Sequence, residues 1–233
     1  MLKLSAAAAV HESLGDVPND LRAQLKEMTG QNFRRINRFI ELSLLGALQC
    51  RDTAGTIAPD TALYLACDSP MLADSIKILQ GIQNERRPPS PFEFMNISGN
   101  MAGYYVAHQL GLNGPQLAVH RNHAGFEAAL ELLMLHSTQH RRALIGYVEE
   151  GVWPLSEQRL RHGYATDTAL FECSHWFYFD QDCTATIAVI EAAAVLPAST
   201  TQGMDTPLAL TRYLSGDDTS VLRLGRALTV TKC

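Results

Sequence analysis

Cysteine is sparse in this 233-residue sequence, and what there is lies too far apart for joint work. Cys50, Cys67, Cys173, Cys183 and Cys233 are odd in number, show no CxxC spacing, and have no histidines at metal-ligand intervals. That pattern excludes a disulfide framework and a zinc-ribbon motif. It predicts reduced thiols in a cytoplasmic protein, with neither metal nor cofactor. Long apolar runs are missing too: none approaches the ~18 residues that a bilayer-spanning helix needs. Residues 4–10, rich in alanine and preceded by Lys3, have the look of a signal-peptide core. The stretch is only about seven residues long and runs into His11-Glu12-Ser13 without a convincing cleavage region, so a first β-strand is expected instead. Positive charge is also thin. Lys and Arg number 19 against 24 Asp and Glu, for a net charge of −5, and they occur singly or in pairs such as Arg34-Arg35, Arg86-Arg87 and Arg141-Arg142. No basic stripe forms, which argues against nucleic acid or an anionic membrane as partner. Internal repeats and low-complexity tracts are absent.

What remains is an ordinary globular composition, 46% apolar and 18% charged, expected to fold as one domain over residues 1–233. Residues 15–32 read as a connection or a short helical excursion. Phe33, Ile36, Ile40, Leu44 and Leu48 recur at helical spacing and predict one apolar face. Residues 62–67 (ALYLAC) form a short apolar run of the kind buried on both faces of a sheet. Asp68-Ser69-Pro70 then offers cap chemistry for a helix through Ile76, Leu79 and Ile82. Prolines make residues 84–91 a loop. Gly99, Gly103 and Ala107 fall four apart, predicting a helix that meets another helix closely. Residues 116–121 read as strand, Phe126, Ala129, Leu130 and Leu133 as an amphipathic helix, and residues 143–148 as a buried strand. This alternation argues for an α/β sheet with helices on both faces. After Gly151 the β-branched and aromatic stretches 175–179, 184–195 and 221–230 predict two or three more strands, with turns near Pro197 and Gly216-Asp217-Asp218.

Between Ser90 and Glu149 the sequence carries an ordered set of short motifs: Ser90-Pro91-Phe92, Asn100-Met101-Ala102-Gly103, Gly111-Leu112-Asn113-Gly114-Pro115, Leu117-Ala118-Val119, His123-Ala124-Gly125 and Leu144-Ile145-Gly146-Tyr147-Val148-Glu149. In this order they resemble the β-ketoacyl synthases, condensing enzymes of the thiolase fold. Those enzymes carry S-P-F, an Asn, a small-residue helix, G-L-x-G-P, a strand, the nucleophilic Cys in a small-residue turn, a helix, and a strand ending in G-G-V/A-D/E. The interval from Asn100 to His123 lies on that pattern without a gap, and residues 34–39 (RRINRF) are similar to the family's basic early helix. Past Gly151 the likeness thins. Phe179-Asp180 and residues 187–191 match an F-D segment and a strand ending in Leu-Glu, but the glycines expected between them are missing. The resemblance implies a thiolase-like N-terminal half: α/β, with a mixed, mostly parallel sheet flanked by helices.

Where the sequence departs from the family, the chemistry departs with it. A condensing enzyme accepts its acyl chain on a thiolate at a helix N-terminus, where the helix dipole and free N–H groups favour the anion. The matching residue here is His123, which cannot carry a stable thioester, so the site is expected to be vestigial. The family's decarboxylating residues, two histidines or a histidine and an asparagine, come from a C-terminal half that would begin where this sequence stops, at Cys233. The resemblance therefore implies a partner, a catalytic ketosynthase subunit, with acyl carrier protein as a further contact. It implies pairing through the strand Leu117, Ala118, Val119, His120 and Arg121, with Glu93 and Phe94 at the position that reaches the neighbour's acyl tunnel. That is the part played by a chain-length factor in type II polyketide and fatty-acid systems, aryl-polyene pathways being the first expectation. A carboxylate at Glu93 would be costly in an apolar tunnel unless paired or protonated. Other readings stand beside this one. His120 and His123 could act as base or metal ligands, though no third ligand appears by spacing. Cys173 with His175 could form a thiol–base pair, though residues two apart on a strand rarely do. Trp153, Trp176, Phe177 and Tyr178 could line a pocket rather than a core. An independent acyl-transfer or hydrolytic enzyme using His123 or a cysteine, and a homodimer that covers its own open face, complete the alternatives.

Overall fold

The alanine-rich stretch near the start is the middle of the longest strand, β1 (Leu2–Ser13), which runs beside the other central strand of the sheet. The computed structural model of the chain describes residues 1–192, 205–217, 221–224 and 228–233. After β1 come α1 (Leu21–Thr29), capped by the Asp20 carboxylate, and α2 (Arg38–Ala54), capped by Asn37, whose side chain accepts from the Ile40 N–H. Helix α2 exceeds the one-faced reading of its sequence, because every residue from Phe39 to Leu48 is buried. It lies between the sheet on one side and α1 and α5 (Met101–Leu110) on the other. Its polar members are accommodated rather than exposed. Glu41 pairs with Arg22 at 2.5 Å, and Ser43 donates to the Phe39 carbonyl.

The remaining elements alternate as the sequence pattern requires. Strand β2 (Ala62–Cys67) is buried at all six positions, and α3 (Leu72–Glu85) and the short α4 (Pro91–Asn96) follow before α5. Then come β3 (Gln116–His120), α6 (Gly125–His136), β4 (Arg142–Glu149), α7 (Leu155–His162) and β5 (Phe171–Asp180). Beyond them lie β6 (Ala188–Ala192), α8 (Asp205–Ser215), β7 (Leu222–Leu224) and β8 (Leu228–Lys232). The strands form one sheet in the order β3-β2-β4-β5-β1-β6-β8-β7. One apolar layer joins α1, α2 and α5 to one face of the sheet, and a second joins α6 and α8 to the other, giving three layers.

Several expectations need correction. The sheet is mixed, but among the described residues only two of its seven neighbouring pairs, β2 with β3 and β2 with β4, are parallel. The mostly parallel reading fails because β5 runs against both of its neighbours, β4 and β1, and the C-terminal strands join on antiparallel. The C-terminal third also contains α7 and α8, which its β-branched stretches concealed. Pro197 and Asp218, read as turns, lie outside the described residues. Helix α5 packs closely on α2, as its small-residue spacing predicts, while Gly103 itself faces Leu63 and Gln116 of the sheet. Asp68-Ser69-Pro70 does not cap α3. The residue before that helix is Met71, in the left-handed region at φ 46°, and its side chain makes no cap. Among the described residues no helix is long and apolar enough to cross a membrane.

Candidate functional site

Parallel strands β3, β2 and β4 all end at the same edge, where α/β sheets place their ligands. The turn from β3 into α6 crosses that edge. It is pinned to the end of β2 by the Arg121 N–H donating to the Cys67 carbonyl at 3.4 Å and by the Gly125 N–H donating to Asp68 Oδ1 at 3.2 Å. Asp68 therefore caps α6 rather than α3. Only glycine fits at 125, since a Cβ there would sit 2.8 Å from the Cys67 carbonyl oxygen. Within this turn His123 adopts φ 57°, a left-handed conformation uncommon for a residue with a side chain and concentrated at functional turns. Its side chain is exposed and borders a cleft of about 670 Å³.

The floor of that cleft is acidic. Asp68, Glu149 and Glu150 line it together with Tyr147 and Asp205. Glu149 accepts the backbone N–H groups of Asp68 and Ser69, and Glu150 accepts from the Ala73 N–H at 3.1 Å, so the end of β4 supplies the cap that α3 lacks. Burial pushes both glutamates up to about 7 and outweighs those hydrogen bonds. It raises Asp68 as well, with the Gly125 amide opposing. A site so furnished can hold protons and backbone amides. It offers no thiolate.

Burial works against ionisation of the cysteines near it. Cys67 is fully buried with Sγ 2.9 Å from His120 Nδ1, a pairing the sequence hid because the two residues are 53 apart. Burial, with Glu149, Asp68 and Glu150 adding repulsion, pushes that thiol far above its ordinary value. Cys173 is likewise buried and raised. His120 is engaged with Cys67 and not with His123, and it fits only because position 99 is glycine, where a Cβ would meet its Nε2 at 2.6 Å.

The remaining candidate residues fall into two groups. Leu117, Ala118, Val119 and His120 lie on β3 and Arg121 just after it; β3 is an outer strand whose far side pairs with nothing among the described residues. Glu93 sits in the first turn of α4, where it completes a capping box with Ser90 and takes two hydrogen bonds from Arg87 at 2.9 and 3.0 Å. The Arg87 guanidinium, followed by the Ser90 amide, holds its carboxyl down at about 2. Its charge is met within this chain. Phe94 beside it is 64% exposed, with Phe92 and Met95 also exposed, and Arg35 lies over the Phe92 ring at 4.6 Å. Arg38, from the early basic segment, forms a buried pair with Glu172. Trp176, Phe177 and Tyr178 are core, while Trp153 lies under the Arg38 guanidinium and donates from Nε1 to the Gly15 carbonyl.

Among solved structures, a chain of the ketosynthase ApeO in complex with its chain length factor ApeC from Xenorhabdus doucetiae superposes with a TM-score of 0.66 at 12% identity, covering 99% of both chains. The ishigamide ketosynthase/chain length factor follows at 0.64 and 15% identity, covering 83% of this chain and 67% of that one. The chain has the ketosynthase fold. The same fold recurs in AntDE:AntF, a type II polyketide acyl carrier protein in complex with its ketosynthase, at a TM-score of 0.57 and 11% identity over 83% of this chain. No family model matches the sequence, and no curated protein matches it. The ketosynthase fold accounts for the order of α5, β3, α6 and β4, the segment in which the resemblance was legible.

Proposed function

We propose that this ketosynthase-fold chain is a single-domain, non-catalytic subunit of the chain-length-factor kind. It pairs with an active β-ketoacyl synthase, stabilises it and shapes its acyl tunnel in type II polyketide or fatty-acid assembly, with aryl-polyene systems as the first context to test. The observation that carries this reading is the occupant of the β3–α6 turn. His123 holds the left-handed position at the head of the helix where the resemblance puts the acyl-bearing cysteine. An imidazole there cannot keep an acyl group as a thioester, and burial works against ionisation of the nearby Cys67 thiol. The end-to-end correspondence with a chain of the ApeO–ApeC complex, the unpaired edge of β3 and the exposed Phe92, Phe94 and Met95 support the partnership. Acyl carrier protein would then meet the pair rather than this chain alone.

The Cys67–His120 contact is what an independent thiol acyltransferase would need, and it keeps that second reading in view. Burial and three neighbouring carboxyls oppose it by keeping the thiol protonated. One experiment separates the two. The full chain is co-expressed with a full-length ketosynthase from the same genome, the pair is purified, and acyl elongation on carrier protein is assayed with and without this chain. Intact mass is read on both subunits. The expected result is a stable one-to-one pair, elongation that requires both chains, acyl adducts on the ketosynthase alone, and shorter or longer products when Phe94 is changed to Ala. An acyl adduct on this chain, lost in Cys67→Ala, would overturn the reading in favour of the acyltransferase.

A further inference from the structure

Strands β1 and β5 run antiparallel through the middle of the sheet, and their register sets His11 directly opposite Cys173, with His175 two residues along β5 on the same face. Helix α8 covers this face. Cys173 and His175 are fully buried, His11 is half-buried, and one donor atom from each lies within 4.8 Å of the other two. The sequence could not show this group, because its third member comes from the other end of the chain.

The hydrogen bonds around the cluster say which atoms face it. Thr211 Oγ1 donates to the Pro207 carbonyl at 2.9 Å and lies 2.9 Å from His175 Nδ1. The hydroxyl has one proton, already committed, so the ring nitrogen is the donor and His175 Nε2 is left with a bare lone pair. That Nε2 is buried and has no hydrogen-bond partner among the described residues, and the same holds for His11 Nδ1. Buried polar atoms are rarely left in this condition. A histidine with one nitrogen tied to an outer oxygen and the other lone pair free is the arrangement in which imidazole binds metal. Burial lowers both rings, His175 to about 4, with Arg212 also acting on His11. Phe171 stacks on His11 with ring centroids 5.1 Å apart and also lines the acidic cleft, so the cluster lies against the cleft wall.

We propose that His11, Cys173 and His175 form a binding site for a thiophilic divalent cation of the Zn²⁺ class. Two imidazoles and a thiolate suit a borderline-soft ion, and three protein donors leave one position open. On coordination the Cys173 thiol gives its proton to solvent as the sulfur–metal bond forms, and no electron is transferred. The site belongs to this chain and does not depend on any partner.

The test uses the full chain, freed of metal by a chelator and titrated with Co²⁺ and then Zn²⁺. One Co²⁺ per chain is expected, with thiolate-to-cobalt charge-transfer absorption that Zn²⁺ displaces. Cys173→Ser should abolish the charge-transfer band, and Thr211→Val, which touches the cluster through His175, should weaken Zn²⁺ binding by about tenfold or more. The double variant Cys183→Ser/Cys233→Ser, which removes the more accessible thiols, should bind like the native chain. If Cys173→Ser fails to fold, the Thr211→Val variant decides. A native chain that takes up no Co²⁺, a charge-transfer band lost in the Cys183/Cys233 double variant, or equal Zn²⁺ affinity in Thr211→Val would overturn the proposal.

Discussion

At the scale of single residues, the fold is built around an indole. Trp176 is fully buried on β5, its Nε1 donates to Ser174 Oγ at 2.8 Å, and that hydroxyl passes its own proton to the Leu42 carbonyl in α2. Two glycines make the slot. Gly46 opens the α2 side, and Gly146, the cross-strand partner of Trp176 on β4, opens the other. A Cβ at 146 would stand 2.5 to 2.7 Å from three ring carbons of the indole, and the ring, hydrogen-bonded and enclosed, has nowhere to move. Gly146→Ala is therefore expected to destabilise the chain by about 1–3 kcal/mol through overpacking. Urea unfolding checks this, and a midpoint equal to that of the native chain would show that the slot yields. Gly146 had been legible only as one letter of a family motif. That it makes room for Trp176 depends on β4 and β5 being neighbours, which no local pattern reveals.

Elements raise a different question, because helix ends here are served by residues from other strands. The sequence offered Asp68-Ser69-Pro70 as a cap for α3 and named no acceptor for α6. In the structure Asp68 caps α6 and Glu150 caps α3, both across the sheet edge. Strands β2 and β4 and helices α5 and α6 were readable because apolar runs, small-residue spacing and amphipathic spacing are local signals. Helices α7 and α8, the Cys67–His120 contact and the glutamates' capping were not, because each depends on which strand ends meet. The exchanged caps leave a mark on stability. Glu150 is raised to about 7 from an ordinary 4.5, with burial first and then Asp74 and Glu172 holding the proton on and Arg38 opposing. Between those two values the folded chain keeps a proton that the unfolded chain releases, so this contribution is present at low pH and is lost as pH rises toward 7. His175, lowered to about 4 from 6.5, works in the opposite sense, because there the unfolded chain binds the extra proton. The native profile mixes these with Glu149, which burial raises in the same way, and a variant separates Glu150 from the rest. Glu150→Gln keeps an oxygen for the Ala73 N–H and removes the ionisation. It should match the native chain near pH 5 and exceed it near pH 8 by on the order of 2 kcal/mol. Urea midpoints measured across that range test this, and a variant weaker by the same amount at every pH would refute it.

For the whole molecule, the decisive feature is how the sheet stops. At one end β3 has five residues with no proline, lysine or bulge to discourage a further strand, the usual protections of an exposed edge. The parallel ladder with β2 is fixed at its two ends by the Leu63 N–H donating to the Pro115 carbonyl and the Arg121 N–H donating to the Cys67 carbonyl. Parallel pairing alternates along a strand, so the amides of Leu117 and Val119 turn toward β2 and those of Gln116, Ala118 and His120 turn outward. If the chain pairs with a ketosynthase edge to edge, the outward amides carry the contact. Proline at an outward position removes a donor that the chain's own sheet does not use. Ala118→Pro should therefore leave the circular dichroism and melting of the isolated chain close to native while abolishing co-purification with the ketosynthase. Val119→Pro, one residue on, removes a ladder donor from a buried position and should destabilise the chain itself. Sedimentation of the co-expressed pair distinguishes these outcomes. Should Ala118→Pro still form the pair, the partner must dock elsewhere, and the exposed apolar residues of α4 become the surface to mutate next.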